Sequence, residues 1–154
     1  MTIPDRPALA DLVHRYAAAV DDRRFDDAVD LFADDAELVL PDPPRSLDPV
    51  TRHRGSMAIR AAVAGVEAVD RTEHAIVGEV YTASGPDRAL GRITCVAHHW
   101  SRGTQQGGEQ VGDLVWHLRY DDEYVRSGQE WLFSLRTLTI NAIETRLARR
   151  LRPG

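Results

Sequence analysis

The chain has 154 residues, 43 % of them hydrophobic and 28 % charged, which fits one globular domain with a single core spanning 1–154. Its 19 basic residues, all arginine, stand against 24 acidic ones for a net charge of −5, and the absence of a basic stripe argues against nucleic acid as a partner. No apolar run reaches the ~18 residues of a membrane span. The opening MTIPDRPALADL has no leader-like basic stretch or apolar core, so a cytoplasmic location away from membranes is expected.

From Pro7 to Val20 the residues Leu9, Leu12, Val13, Tyr16, Ala17 and Val20 recur at helical spacing and predict a helix with one buried stripe. The polar cluster Asp21, Asp22, Arg23, Arg24 interrupts it, and Phe25, Ala28, Val29 and Phe32 predict a second, short helix. Glu37 to Leu40 reads as a short strand. The stretch from Pro41 to Pro49 holds four prolines, lacks backbone donors and is expected to be a loop. Ile59, Val63 and Val66 predict a third helix between Ser56 and Val69. After Asp70 the pattern turns to alternation, predicting strands at roughly 72–83, 87–102, 109–125 and 130–141. The turns between them fall near 84–86, 103–108 and 127–128. Short turns imply an antiparallel meander covered on one face by the three helices, an α+β class. The tail from Ala142 to Leu151 is expected to form a short basic helix or to fray.

Side-chain parity then distributes the chemistry. In the first long strand, even positions carry His74, Ile76, Gly78 and Val80 toward the apolar face, with Glu73, Glu79 and Tyr81 opposite. The second sends Thr94, Val96 and His98 one way and Cys95, Ala97 and His99 the other, so one of the paired histidines faces inward. The third groups Leu114, Trp116, Leu118 and Tyr120 against Asp113, His117 and Arg119. The last carries Arg136 among Leu132, Leu138 and Ile140, and a buried guanidinium needs a partner. Its odd set, Trp131, Phe133 and Leu135, would form an outer apolar patch, which predicts a homodimer or homotrimer with those residues at the subunit contact.

Each of these residues also has a plain structural role. His74 could be a hydrogen-bonded core histidine, Arg136 half of an ion pair, Tyr16 a core residue, and Asp21 the carboxylate that ends one helix or caps the next. His14, His53 and His117 read as solvated, as do the acidic corners Asp21-Asp22, Asp34-Asp35 and Asp121-Asp122. The single cysteine, Cys95, excludes an internal disulfide and a cysteine-rich zinc site, and reads as a small buried hydrophobe. Without lysine there is no Schiff-base chemistry. No metal, phosphate-loop or nucleophile-elbow motif is present.

The stretch RYAAAVDDRRFDDAVDLFADDAEL resembles the first two helices of the SnoaL-like members of the nuclear-transport-factor-two-like superfamily. TEHAIVGEV, RITCVAHHW and WLFSLRTLTI resemble its sheet strands in the same order, so the resemblance covers about nine-tenths of the chain. It implies a cone-shaped, curved antiparallel sheet packed against three N-terminal helices, with a deep hydrophobic pocket between them. The nearest pattern is that of scytalone dehydratase, bile-acid dehydratase and hexachlorocyclohexane dehydrochlorinase, which work without a cofactor. The pocket tyrosine of the bile-acid enzyme and, five residues on, its aspartate match Tyr16 and Asp21. The histidine of all three matches His74, and a final-strand arginine matches Arg136. A second pocket histidine two residues after a valine selects Val96-Ala97-His98, and so His98 over His99. Ketosteroid isomerases carry an acid before the proline that ends the first strand. Here Leu40 precedes Pro41, so that base is missing.

The resemblance implies an Asp21–His74 general base with Tyr16 donating to a developing oxyanion, and His98 or Arg136 assisting the leaving group. Ile76, Val80, Val96, Leu114, Trp116 and Ile140 would line a pocket for a hydrophobic cyclic or polycyclic molecule. The expected function is a dehydratase-like lyase or an isomerase that needs neither metal nor cofactor. The alternative is a non-catalytic ligand-binding protein or a dioxygenase-type β subunit, since this fold hosts both.

Overall fold

The structure, a computed structural model, describes residues 5–105 and 108–154. Helix α1 (Arg6–Asp21) and the short α2 (Phe25–Val29) lead into strand β1 (Phe32–Asp42), β2 (Ser46–Arg54) and helix α3 (Gly55–Val63), which runs on as a 3-10 turn, Ala64–Ala68. Four long strands follow: β3 (Arg71–Gly85), β4 (Arg88–Gln105), β5 (Gly108–Ser127) and β6 (Glu130–Ala148). They form one curved, unclosed sheet of six strands in the order β2-β1-β6-β5-β4-β3. The apolar stripe of α1 (Leu9, Val13, Tyr16, Val20) and the inner side of α3 (Ile59, Val63) close on Ile93, Cys95, Ala97, Leu118, Phe133 and Leu138 of the sheet. The class is the expected α+β, with the core between helices and concave face.

The meander from β3 to β6 is antiparallel throughout. The sheet as a whole is mixed, because β1 adds to β6 in parallel, with Leu38 beside Arg136. The expected loop over Pro41 to Pro49 is instead the β1–β2 hairpin. Its prolines fall where the ladder can spare them: Pro41 sits at the register shift between Leu40 and Asp42, and Pro49 lies on the outermost strand, where one side needs no donor. Residues 141–148 do not form the expected helix but continue β6 alongside β5, with Ala148 paired with Val111, and only the residues beyond Ala148 leave the sheet. Of the turn expected at 103–108, residues 106 and 107 lie outside the described residues.

Two bulges overturn the parity read from the sequence. The β3–β4 register slips between Ile76 and Gly78, leaving Val77 as the extra residue, and every later side chain on β3 changes face. Val80 is therefore 59 % exposed and Tyr81 is buried, the reverse of the expectation. On β6 the register slips at Ser134, between the Tyr124–Phe133 and Glu123–Leu135 pairs. Trp131 and Phe133 then point into the same core as Arg136, Leu138 and Ile140. They form no outer patch, and the expected subunit contact loses the residues on which it rested.

Candidate active site

Helix α1 ends in a tight turn in which the Arg24 N–H donates to the Ala19 carbonyl (2.8 Å) and the Arg23 N–H to that of Val20 (3.1 Å). The turn leaves the Asp21 carboxylate facing the start of β3. There Asp21 Oδ2 accepts the backbone N–H of His74 at 2.8 Å, and Oδ1 accepts the Thr72 hydroxyl at 3.0 Å and meets His74 Nδ1 at 2.6 Å. The carboxylate accepts and cannot donate, so Nδ1 carries a proton, and in the neutral ring Nε2 keeps its lone pair. Two residues 53 positions apart, one closing a helix and one opening a strand, thus meet as a pair.

The ring of His74 lines a cavity of about 610 Å³ between the helices and the concave sheet face. Its walls are mainly apolar: Val20 of α1, Leu38 and Leu40 of β1, Val63, Val66 and Val69 around α3 and its 3-10 turn, and Leu118 and Leu138 of the sheet. Tyr16 and Tyr120 also line the cavity, as does Asp42 at the end of β1. Burial raises the Tyr16 hydroxyl above its ordinary value, with the Arg136 charge opposing, so it stays protonated and able to donate. Among the described residues no three His, Cys, Asp or Glu side chains are grouped to hold a metal ion.

The second histidine of the cavity is His99, which corrects the assignment to His98. Strand β4 pairs with β5 without any register shift, so its alternation is intact. Ile93, Cys95, Ala97 and His99 form the inner row, and Val96 and His98 the outer one. The parity was sound and the choice of face was not. His98 Nδ1 is held by Asp113 Oδ2 at 2.7 Å and its ring stacks on Trp100 at 5.1 Å, whereas His99 Nδ1 donates to the Leu114 carbonyl at 2.8 Å. Burial pushes the His99 imidazole down from its ordinary value and the nearby His74 adds to this, so His99 is neutral with Nε2 as an acceptor. The two inner rings lie 6.3 Å apart, and Trp116 lies 4.6 Å from His99.

Of the residues expected to line the pocket, Leu114 and Trp116 do. Ile76 and Ile140 pack within the molecule without lining the cavity, Val96 lies on the outer row, and Val80 is exposed. The wall from α3 and its 3-10 turn was missed, although the helical spacing of Val63 and Val66 already gave that segment an apolar side.

Arg136 is fully buried and lies behind this wall, outside the cavity lining. Its Nε and Nη2 fork onto Asp122 Oδ1 and Oδ2 at 2.9 and 3.0 Å, and Tyr124 donates to the same carboxylate at 2.8 Å. The guanidinium carbon sits 3.7 Å from the centroid of Tyr120, 4.4 Å from that of Phe133 and 4.5 Å from that of Tyr16. Burial would favour a neutral guanidine, but the Asp122 carboxylate outweighs it and holds Arg136 charged. Asp122, expected as a solvated corner, is only 2 % exposed. In the sequence it is one of two adjacent aspartates, and only the even parity it shares with Tyr120 distinguishes it.

The profile of the SnoaL-like domain family matches residues 1–137. The chain belongs to the SnoaL-like domain family. Its structure is similar to that of a candidate scytalone dehydratase from Novosphingobium aromaticivorans, with a TM-score of 0.74 and 19 % identity over 97 % of this chain and 92 % of that one. It is also similar to the hexachlorocyclohexane dehydrochlorinase LinA-type3 from Novosphingobium barchaimii, with a TM-score of 0.72 and 19 % identity over 97 % and 95 % of the two chains. A third, Kfla4162 of Kribbella flavida, shares 27 % identity at a TM-score of 0.74 over 91 % and 93 %. No curated protein matches the sequence. At such identities the two named enzymes support the fold of this SnoaL-like domain, and its chemistry has to be argued from its own residues. Among the described residues no helix is long and apolar enough to cross a membrane.

Proposed function

We propose that this SnoaL-like domain is a dehydratase-type lyase acting on a hydrophobic cyclic or polycyclic molecule, with His74 as base and Asp21 as the group that orients it. The observation that carries the reading is the 2.6 Å contact between Asp21 Oδ1 and His74 Nδ1 at the wall of a mainly apolar cavity. That arrangement leaves Nε2 as a proton acceptor, and the carboxylate stabilises the imidazolium that forms. In the proposed step Nε2 takes the proton from a carbon beside a carbonyl, and the protonated Tyr16 hydroxyl donates to the developing oxyanion. The C–O bond at the next carbon then breaks, and the imidazolium returns the same proton to the departing hydroxide. Water leaves and His74 is restored. His99 Nε2, an acceptor, can hold the hydroxyl of the substrate before it departs. Leaving-group assistance by His98 or Arg136 is replaced in this scheme, since the first is turned to the outer face and the second is tied to Asp122. Base and donor are side chains, so the step calls for no metal or organic cofactor. A cavity of about 610 Å³ is of the size that encloses a drug-sized molecule.

The test is to incubate the protein with a panel of aromatic and polycyclic β-hydroxy carbonyl compounds and follow loss of one water by mass spectrometry. Turnover by the wild type is expected, with His74→Ala and Asp21→Asn each lower by about 10³–10⁴-fold and the double variant scarcely worse, because the pair acts as a unit. Full activity in His74→Ala refutes the mechanism. A product of unchanged mass and altered double bond reassigns the same pair to isomerisation. Binding without turnover favours the ligand-binding alternative.

A further inference from the structure

The three residues that close α1 break two local preferences. Asp21 places a negative charge in the last turn of the helix, where the macrodipole opposes it. Arg23 has φ of 60°, the left-handed position after a helix that favours glycine because a Cβ is crowded there. Departures of this kind persist where the side chains have a task. The Asp21 task is the contact to His74. Arg23 folds its guanidinium back across the junction of α1, the 3-10 turn and β3. Its Nη1 donates to the Val20 carbonyl at 3.3 Å and to Thr72 Oγ1 at 2.8 Å, and its Nη2 to the carbonyls of Val66 at 3.1 Å and Val69 at 3.3 Å.

The contact to Thr72 sets a direction. A guanidinium can only donate, so Thr72 Oγ1 accepts a hydrogen bond from Arg23, and its own hydroxyl proton is turned to Asp21 Oδ1 at 3.0 Å. With Oδ1 accepting from Thr72 and Oδ2 accepting from the His74 backbone, the proton of the short contact stays on the imidazole. We infer that Arg23 is a positioning residue for the Asp21–His74 pair, acting through the Thr72 hydroxyl to keep His74 in the Nδ1–H form with Nε2 free toward the cavity. The inference rests on the reading of that pair as the base. It adds a second layer of control along the relay Arg23, Thr72, Asp21, His74: the guanidinium turns the Thr72 hydroxyl, that hydroxyl holds the Asp21 carboxylate in place, and the carboxylate keeps the ring proton of His74 on Nδ1.

Nitrogen-15 NMR of the histidine side chains tests this without any substrate. Wild type is expected to show a single His74 form with its proton on Nδ1. Arg23→Gly suits the left-handed turn better than arginine and removes only the side chain. It is expected to populate the Nε2–H form and to speed solvent exchange of the Nδ1 proton by about tenfold, the factor for losing one hydrogen bond linked to a charged group. Arg23→Met, with the same backbone demand as arginine and no donor, gives the same result and serves if the glycine variant does not fold. Thr72→Val matches both, Thr72→Ser retains the wild-type signal, and Arg23→Gly combined with Thr72→Val is no worse than either alone. A clip that merely ties α1 to the 3-10 turn would lower the unfolding temperature and leave the His74 form unchanged. An Arg23 variant that folds and keeps a single Nδ1–H form, with exchange within about twofold of wild type, overturns the inference while leaving the base intact. A wild-type His74 without its proton on Nδ1 overturns the base reading, and this inference with it.

Discussion

Replacing Arg136 by methionine separates a structural charge from a catalytic one. Methionine keeps much of the apolar stem that packs against Tyr16, Tyr120 and Phe133, and removes both bonds to Asp122. The Asp122 carboxylate, in a side chain with no exposure, is left with the Tyr124 hydroxyl alone. Breaking a buried pair from one side costs about 3–5 kcal/mol because the remaining charge has lost its compensation. For a domain of this length that lowers the unfolding temperature by about 6–20 °C. Burial already pushes the Asp122 carboxyl above the usual carboxylate range, against the pull of Arg136 and the Tyr124 hydroxyl. Without the arginine it rises further. A carboxyl whose folded pKa exceeds its unfolded one binds more protons in the native state, so stability falls as pH rises through that window. The loss relative to wild type should therefore be smaller near about pH 5 than near about pH 8, read by urea unfolding followed by circular dichroism. Adding Asp122→Leu, which removes the stranded charge, should recover more than half of the loss. A loss below about 1 kcal/mol, or a double variant no better than the single, refutes the account of Arg136 as half of a sealed ion pair.

Two further outcomes follow from the packing around the same core. A Cβ at Gly91 would lie 2.7 and 2.9 Å from Cε2 and Cζ of Tyr124 and would overlap its hydroxyl, which Asp122 pins. Gly91→Ala should cost about 1–3 kcal/mol in chemical denaturation, and a neutral substitution would show that this ring is free to move. His99, pushed down by burial, stays neutral in the folded protein while the unfolded chain takes up a proton below about pH 6.5, so the unfolded state binds more protons there and stability falls as the pH drops. The slope from this one group is at most about 1.4 kcal/mol per pH unit, and His99→Gln should flatten the fall in urea midpoint between about pH 7 and pH 5, with an unchanged slope counting against it.

The alternation of β3 to β6 and the stripe of α1 were legible because both are short-range patterns that a chain cannot hide: neighbours two apart share a strand face, and neighbours three or four apart share a helix side. The pairing of Asp21 with His74 came from resemblance, since no local rule links positions 53 apart. Tertiary structure decided what parity leaves open. Parity says that Ile93, Cys95, Ala97 and His99 share one face of β4 and that Val96 and His98 share the other, but which face the helices cover is settled only when α1 and α3 pack. A bulge is a single extra residue with little local signature, so Val77 and Ser134 could not be distinguished from their neighbours, yet they reversed Val80, Tyr81, Trp131 and Phe133. Parity alone set Asp122 on the Tyr120 side of its strand and Asp121 on the other, without saying which side excludes water. One becomes the buried partner of Arg136 and the other pairs with Arg119 on the outer face, because a strand sends adjacent side chains to opposite sides and only the folded sheet defines which side excludes water.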